Sequence, residues 1–267
     1  MYSIKYICNI GWNLDKYLIF KEKKIALIVN TVLERSTDLY YFDLRIFLHT
    51  EPEDIIKGLQ YFLFTHWEFF DYVLTFDTAL LNGLPNAKRF TLAVPWVHQA
   101  GFNLLDKKFQ VSFIPGRKNT TMGHKLRHVV YRKQNKIKIP TKFVPSLEYS
   151  NELRQKVLFD TSQYNISIEN SRHENYFTEK ILDCFLTKTI PIYWGCPNIG
   201  EYFDAMGIIQ VEKEYEIYKK LNCLDEDYYW DMQNSVDYNY NVALQYLEIG
   251  EQGSERVNYA IDELIKE

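Results

Sequence analysis

The stretch from Tyr164 to Gly195 constrains the fold more strongly than any other part of the sequence. It contains two apolar runs, residues 164–168 and 189–194, on either side of a segment whose apolar side chains recur at helical spacing. Thr178 precedes that segment and is a residue type that caps helix N-termini well. The side chains that would share one buried face of the helix are Ile181, Leu182, Phe185 and Leu186. A strand, a helix and a strand in this order predict a βαβ unit with parallel strands.

The same alternation of strand-like and helix-like segments runs through residues 1–100. The predicted strands are "IKYICNI", "KIALIVN", "DLRIFLHT", "DYVLTFD" and "RFTLAVPW", and the segment "EDIIKGLQYFLFTHWEFF" has helical spacing. After the charged break Asp106-Lys107-Lys108 the pattern restarts with the strand "FQVSFI", and the tail from about Asp225 onward has helical composition. Alternation of this kind predicts parallel α/β sheets.

We therefore predict two sequential α/β domains with a cleft between them. Residues 1–107 form the first domain and residues 108–267 the second, and the final helix can cross back to the first domain. The length of 267 residues suits two domains of roughly 100–150 residues each.

The composition, 46% hydrophobic and 25% charged residues, is that of an ordinary globular protein. A net charge of −4 argues against a nucleic-acid-binding role for the chain as a whole. The sequence shows neither a signal peptide nor an apolar run near the roughly 20 residues that span a bilayer. The scattered cysteines, with no zinc-binding spacing, are Cys8, Cys184, Cys196 and Cys223. We expect free thiols and a cytoplasmic location.

Glu179 and Lys180 stand at the start of the predicted helix. The helix dipole is positive at this end, so a glutamate stabilises it and a lysine does not. In βαβ units, ligands bind beyond the carboxyl ends of the strands, where the free N–H groups of the following helix attract anions. Lys180 is therefore a candidate phosphate-binding residue. The alternative is a solvated lysine without a function, and Glu179 suits a helix start in either case.

A second basic segment extends from Arg117 to Lys138 and contains eight lysines and arginines and no acid. Its early part follows the first strand of the predicted second domain, at another strand-to-helix turn. Arg127 could reach a diphosphate there, since a guanidinium group matches phosphate oxygens. A solvated basic face and a nucleic-acid footprint are the alternatives. Because no nucleic-acid-binding sequence signature accompanies the segment, we expect no nucleic-acid partner.

Glu51 follows the predicted strand "RIFLH" and precedes a proline. A carboxylate at the carboxyl end of that strand would face the cleft and could act as a general base. His49, Glu53 and Asp54 are alternatives for the same role, and an acid exposed on a loop is the alternative without a function. The histidines form no metal-binding or catalytic signature, so we predict no metal site.

The segment "YNISIENSRHENYFTEKILDCFLTKTIPIYWGCPNIGEYF" closely resembles the donor-binding signature of the α-1,3/1,4-fucosyltransferases, glycosyltransferase family 10. That signature combines a strand ending in "(F/I)EN(S/T)" with "Y-x-TEK-(I/L)-x-D" and "(T/V)-(I/V)-P-(I/V)-x-x-G". All three parts occur here in order. Two further segments, "FQVSFIPGRKNTTMGHKLR" and "RIFLHTEPED", are similar to the segments of the family that carry its arginine and its catalytic glutamate.

The resemblance implies the GT-B fold, in which two Rossmann-like domains face each other across a cleft. It implies an inverting enzyme of glycan biosynthesis or protein glycosylation that moves L-fucose from GDP-fucose to a glycan hydroxyl, in a reaction of α-1,3 type. Arg127 and Lys180 would neutralise the diphosphate, and Glu51 would deprotonate the acceptor. The residues that would contact the donor sugar or its linkage are Asn170, Tyr176 and Glu179. No cofactor or divalent metal would be required, and a lipid-linked acceptor would bring the cytoplasmic enzyme to a membrane surface.

Two other functions stay open at this point. A related GDP- or other NDP-sugar would need only modest changes in the donor pocket. A glycan- or nucleic-acid-binding protein could keep the fold without the chemistry. The motifs identify neither the acceptor nor the linkage.

Overall fold

In the computed structural model of the chain, the described residues are 5–8, 24–31, 36–97, 106–144, 158–159, 161–247 and 254–266. The chain divides into two compact units. Unit 1 combines residues 1–92, 173–176 and 249–267, and unit 2 combines residues 93–172 and 177–248. Each unit is built around its own five-stranded parallel sheet with helices packed against it. The predicted α/β class with two Rossmann-like domains is confirmed.

The described strands and α-helices are numbered here in chain order. The strands of unit 1 are β1 (Lys5–Cys8), β2 (Ile25–Val29), β3 (Leu44–His49), β4 (Tyr72–Thr75) and β5 (Ala87–Arg89). The strands of unit 2 are β6 (Lys108–Phe113), β7 (Thr141–Phe143), β8 (Ser162–Ile168), β9 (Ile190–Trp194) and β10 (Ile209–Gln210). The helices are α1 (Leu59–His66), α2 (Thr78–Gly83), α3 (Met122–Arg132), α4 (Glu179–Leu186), α5 (Glu214–Leu221), α6 (Tyr228–Asp231), α7 (Gln233–Leu247) and α8 (Ser254–Lys266). Within the described ranges, no helix is both long and apolar enough to cross a membrane.

The core of unit 1 explains why its central strands are continuous apolar runs. The strands lie side by side in sequence order, β1 to β5, and a parallel sheet is covered on both faces. The odd-numbered residues of β2 pack with Val257 and Ile261 of α8, whereas the even-numbered residues pack with Leu59 and Leu63 of α1. The last helix therefore contributes to the core of unit 1.

The sheet of unit 2 has the strand order β10-β9-β8-β6-β7. The chain thus starts at β6, moves outward to β7 and returns to β8 on the other side, which creates a topological switch point between β6 and β8. Tyr164, Ile166 and Ile168 of β8 pack on the face covered by α3 and α5, and α4 and α7 pack on the other face. The parallel pairing of β8 with β9 confirms the predicted βαβ unit around α4.

The segment "RFTLAVPW" is only partly a strand, and this changes where the units divide. Beyond β5, residues 90–97 have no regular structure. Trp96 and Val97 donate their N–H groups to Asp183 Oδ1 at 2.9 and 3.1 Å, and not to a neighbouring strand. Because these bonds hold the segment on α4, unit 2 begins at residue 93, whereas the sequence analysis placed the boundary after residue 107.

Helix α1 begins later than the spacing of its apolar residues predicts. Gly58 immediately precedes the helix with a φ of 82°, so the backbone is in the left-handed region there. The Glu53 carboxylate accepts the N–H groups of Gly58 and Gln60. These N–H groups lie at the helix start, where no partner is available within the helix.

The prediction of free thiols is confirmed for the three cysteines whose side chains the structure describes. Cys184 and Cys196 are buried in unit 2, and Cys223 is exposed. Burial raises the pKa of the Cys184 thiol, so this side chain stays protonated and packs as an apolar group. The side chain of Cys8 lies outside the described residues.

The close approach of α3 to the end of β8 requires glycine at position 123. The Gly123 N–H group donates to the Asn170 carbonyl oxygen at 3.0 Å. A Cβ atom at this position would lie 1.8 Å from the Glu169 carbonyl oxygen, far inside van der Waals contact. Any larger residue must therefore push the helix away from the strand end.

We expect Gly123→Ala to lower the free energy of unfolding by about 2–3 kcal/mol, because α3 and the end of β8 must separate to admit the methyl group. Gly200→Ala is the control in the same unit, since its Cβ would lie an ordinary 3.5 Å from Ala205 Cβ. That variant should change stability by less than about 0.5 kcal/mol. Urea denaturation of both variants measures the difference, and equal stabilities would contradict the close approach.

Candidate functional site

A pocket in unit 2 lies at the switch point between β6 and β8, beside the first turns of α4. We call it the switch-point pocket. Its apolar wall consists of Trp96, Phe113, Ile114, Leu158 and Phe159. The charged side chains that line it are Arg127, Glu179, Lys180 and Asp183. In doubly wound sheets, ligands bind at this position outside the carboxyl ends of the strands. The pocket is therefore the candidate binding site of unit 2.

Arg127 connects α3 to the end of β8. Its Nε and Nη2 atoms donate to the Ile168 carbonyl oxygen at 2.9 and 2.6 Å, and Nη2 also donates to Asn170 Oδ1 at 2.8 Å. The residue is only 9% exposed, so its guanidinium group lies in the pocket wall and does not extend into solvent. The structure thus brings Arg127 and Asn170 together, two residues that the sequence analysis placed at the donor.

Lys180 is not the solvated lysine of the alternative interpretation. Its ammonium group donates to Thr178 Oγ1 at 2.8 Å and to Glu179 Oε1 at 2.9 Å, and it lies 3.4 Å from Glu169 Oε2. Burial alone would lower the pKa of Lys180, but the two carboxylates outweigh burial and raise it above the ordinary value. The ammonium group is therefore held in its charged form in the pocket wall.

Glu169 is a site residue to which the sequence analysis assigned no role. It is fully buried and directly follows β8. Its Oε1 atom accepts the Thr178 N–H group at 2.9 Å, and Oε2 accepts the Thr178 hydroxyl at 2.7 Å. The carboxylate thereby positions the start of α4. In the sequence, Glu169 could have been noticed as an acid at the end of a strand with apolar alternation. A carboxylate that is buried at such a position needs specific partners.

The electrostatic surroundings of the pocket favour an anion. His124 is buried in the first turn of α3. Its pKa is lowered to about 4, first by burial and then by the positive charges of Arg127, Lys118 and Lys180. The three cations thus act together with burial to disfavour a further positive charge at His124. A phosphate group would be stabilised by the same charges.

Two carboxylates of α4 also line the pocket, and they differ in their partners. Glu179 lies 2.9 Å from the Lys180 ammonium. Burial acts to raise the pKa of Glu179, but the lysine outweighs it and keeps the pKa below the usual value. Asp183 accepts backbone N–H groups, while burial and the nearby Glu179 charge raise its pKa to about 8. No sequence pattern had indicated a role for Asp183.

In unit 1, Glu51 and Tyr176 lie together. Residues 173–176 belong to unit 1, and the Tyr176 hydroxyl donates to Glu51 Oε2 at 3.4 Å. Asn30 Oδ1 accepts the N–H groups of Thr50 and Glu51 at 2.8 and 3.4 Å, which orients the chain at the end of β3. The contact of Tyr176 with the donor sugar stays a prediction, and in the structure the hydroxyl of this residue lies at the predicted base.

The acids beside Glu51 have structural partners. Asp54 Oδ2 lies 2.9 Å from His173 Nε2. Glu53 accepts the N–H groups at the start of α1. Both carboxylates are thus used in local structure, and Glu51 stays the predicted base.

His49, the fourth candidate, is buried and uncharged at neutral pH. Its Nδ1 atom shares a hydrogen bond with the Thr75 hydroxyl at 2.7 Å, and its ring stacks on Phe76 with 5.1 Å between the centroids. Burial lowers its pKa from the ordinary 6.5 to about 4. The side chain therefore packs between β3 and β4 as a neutral ring.

The lowered pKa of His49 links the stability of the protein to pH. Between pH 6.5 and about 4, the unfolded chain binds a proton at this residue and the folded chain does not. The free energy of unfolding therefore falls as the pH decreases through this range, by about 3 kcal/mol in all. We expect His49→Gln to lose less stability than the parent chain between pH 7 and pH 4, measured by urea denaturation. The same loss in both proteins would contradict a neutral buried imidazole.

Part of the sequence matches a known protein family. Residues 117–231 match the glycosyltransferase family 10 (fucosyltransferase) C-terminal domain. The matched segment contains four of the predicted site residues that line the switch-point pocket or contact it: Arg127, Asn170, Glu179 and Lys180.

Curated relatives are similar over short segments. The alpha-(1,3)-fucosyltransferase FucT of Helicobacter pylori is 39% identical over 49 residues, which are 18% of this chain and 10% of that protein. The 4-galactosyl-N-acetylglucosaminide 3-alpha-L-fucosyltransferase 9 of Homo sapiens is 34% identical over 67 residues, 24% of this chain and 19% of that protein. The matched segments thus cover only 10% and 19% of the lengths of these two relatives.

Solved structures extend the likeness to most of the chain. A crystal structure of an α1,3-fucosyltransferase with GDP-fucose has a TM-score of 0.54 at 18% identity and covers 84% of this chain and 76% of that one. Another crystal structure of an α1,3-fucosyltransferase has a TM-score of 0.54 at 19% identity and covers 86% and 79% of the two chains. At such identities the likeness shows the fold, and the predicted GT-B fold is confirmed.

Proposed function

Because residues 117–231 carry the C-terminal domain of glycosyltransferase family 10, we propose that the chain is an inverting glycosyltransferase. It transfers L-fucose from GDP-fucose to a hydroxyl group of a glycan acceptor, with an α-1,3 linkage as the expected product. The observation that carries this proposal is the switch-point pocket, where Arg127 and Lys180 from two separate helices line one cavity.

The reaction defines what the protein must supply. The acceptor hydroxyl attacks the anomeric carbon of fucose while the bond from that carbon to the phosphate oxygen of GDP breaks. A single displacement of this kind inverts the anomeric configuration. The hydroxyl proton passes to a base, and the departing GDP keeps the bonding electrons and gains negative charge. Catalysis therefore needs a base beside the acceptor and positive charge beside the diphosphate.

Arg127 and Lys180 supply that positive charge in the proposed mechanism. Lys180 lies in the first turn of α4, where the backbone N–H groups and the helix dipole also favour an anion. Glu169 and Glu179 already hold its ammonium group, so the charge needs little reorganisation when the donor binds. Asn170, beside Arg127, and Glu179 are the side chains proposed to contact the donor sugar or its linkage.

Glu51 is the proposed base. The hydrogen bond from the Tyr176 hydroxyl to Glu51 Oε2 orients the carboxylate. Tyr176 lies between Asn170 and Thr178 in sequence.

The proposal includes chemistry without a divalent metal, because side-chain cations meet the diphosphate. We expect transfer from GDP-fucose, within a panel of GDP- and UDP-sugars, and no loss of transfer on addition of EDTA. Lys180→Gln keeps a donor for Thr178 but removes the charge, and should weaken GDP binding by about ten- to a hundredfold. Lys125→Gln, on the exposed side of α3, is the matched control. Equal GDP affinity in the two variants, measured by calorimetry, would reject the role of Lys180.

Glu51→Gln tests the base. The variant should bind GDP as the parent chain does and lose transfer by about 10²–10⁴-fold, because an amide cannot take the proton. Glu53→Gln and Asp54→Asn are the controls and should keep most of the transfer rate. Full activity of Glu51→Gln would show that another residue is the base.

A further inference from the structure

The switch-point pocket contains a carboxylate whose hydrogen bonds, within the described residues, come from backbone groups alone. Glu179 is paired with Lys180. Asp183, one turn further along α4, accepts the N–H groups of Trp96 and Val97. The two acids of this helix are therefore in different situations, and only Glu179 has a cation as its partner.

Both hydrogen bonds to Asp183 end on the same oxygen. Oδ1 accepts the two N–H groups at 2.9 and 3.1 Å, and no hydrogen bond from the described residues reaches Oδ2. The residue is 4% exposed and lines the pocket. Burial and the nearby Glu179 charge raise the pKa of Asp183 to about 8, because two backbone N–H groups do not offset the cost of burying the charged form. Oδ2 is therefore the oxygen that a ligand in the pocket can reach, and a ligand that donates N–H groups to it would bind the ionised carboxylate and lower its pKa.

The surrounding wall suits a flat aromatic ring. Trp96, Phe113 and Phe159 line the pocket beside Asp183. Trp96 is 47% exposed, and an indole is a surface on which a base ring stacks well. The same pocket contains the cations Arg127 and Lys180. A nucleotide whose base meets Asp183 and whose diphosphate meets the cations would use all of these groups.

We propose that Asp183 selects guanine as the base of the donor nucleotide. Guanine presents two neighbouring N–H donors, at N1 and at the 2-amino group, and Asp183 Oδ2 has two lone pairs with which to accept both. Adenine has an acceptor at N1, and uracil has one N–H group between two carbonyl oxygens, so neither satisfies the carboxylate. The inference rests on the proposed function and deepens it, because it names the residue that distinguishes GDP-linked sugars from others.

A first measurement needs no substitution. The full chain is titrated with GDP and with inosine diphosphate, which lacks the 2-amino group, and binding is followed by calorimetry. We expect inosine diphosphate to bind about ten- to a hundredfold more weakly than GDP, because one hydrogen bond to a charged acceptor is lost. Equal affinities for the two nucleotides would overturn the inference.

A second measurement uses a variant of Asp183, the proposed hydrogen-bond acceptor for guanine. Asp183→Asn keeps Oδ1 for the N–H groups of Trp96 and Val97 and replaces the unused oxygen by an amide donor. Xanthosine diphosphate carries a carbonyl oxygen where GDP has the 2-amino group. We expect the variant to lose at least about tenfold in GDP affinity and to gain affinity for xanthosine diphosphate. If Asp183 had a purely structural role, the substitution would lower the affinity for both nucleotides without this reversal. That result would overturn the inference.

Glu179→Gln is the matched control, because it makes the same change from carboxylate to amide in the same pocket. It should leave the ratio of GDP to xanthosine diphosphate affinity as in the parent chain. The outcomes separate the two proposals. If the parent chain transfers fucose from GDP-fucose but Asp183→Asn shows no reversal, only the selection of guanine by Asp183 is rejected. If the parent chain binds no guanine nucleotide, the proposed donor is rejected as well.

Discussion

The buried carboxylate of Glu169 is the interaction on which the rest of the C-terminal site depends. It is fully buried at the end of β8, and it holds the start of α4 through the N–H and hydroxyl groups of Thr178. A buried charge is tolerated only with close and specific partners, so the backbone around it is packed tightly. Two glycines show this tightness. A Cβ at Gly123 would lie 1.8 Å from the Glu169 carbonyl oxygen, and a Cβ at Gly195 would lie 2.6 Å from the Glu169 side chain.

The position of Glu169 also sets the arrangement of charges in the pocket. Glu169 and Glu179 compensate Lys180, and the Ile168 carbonyl and the Asn170 side chain hold Arg127. Two cations close to each other would repel if nothing compensated them. The surrounding acceptors let both remain charged in one wall. A diphosphate that enters the pocket meets charges that are already oriented, which is how a protein can stabilise a leaving group without a large cost of reorganisation.

The sequence predicted the α/β class, the βαβ unit around α4 and the N-cap Thr178, because each depends on residues close together in the chain. It was wrong about the full extent of the strand "RFTLAVPW" and about the start of α1. In the first case the N–H groups of Trp96 and Val97 bond to Asp183, which is distant in sequence. In the second, the conformation of Gly58 and the carboxylate of Glu53 decide where the helix begins. Neither effect is visible in a pattern of apolar spacing.

The sequence by itself determined which residue types were available for the site: the basic residues on α3, the "TEK" start of α4 and the carboxylate after β3. Only the tertiary structure decided their partners. It placed Tyr176 beside Glu51 in unit 1, gave Lys180 two carboxylates, and left Asp183 with backbone donors. The physical reason is that local spacing sets which face of an element a side chain occupies. Whether a charge there is paired or buried depends on residues from distant parts of the chain, which meet only when each sheet packs with its own helices and loops.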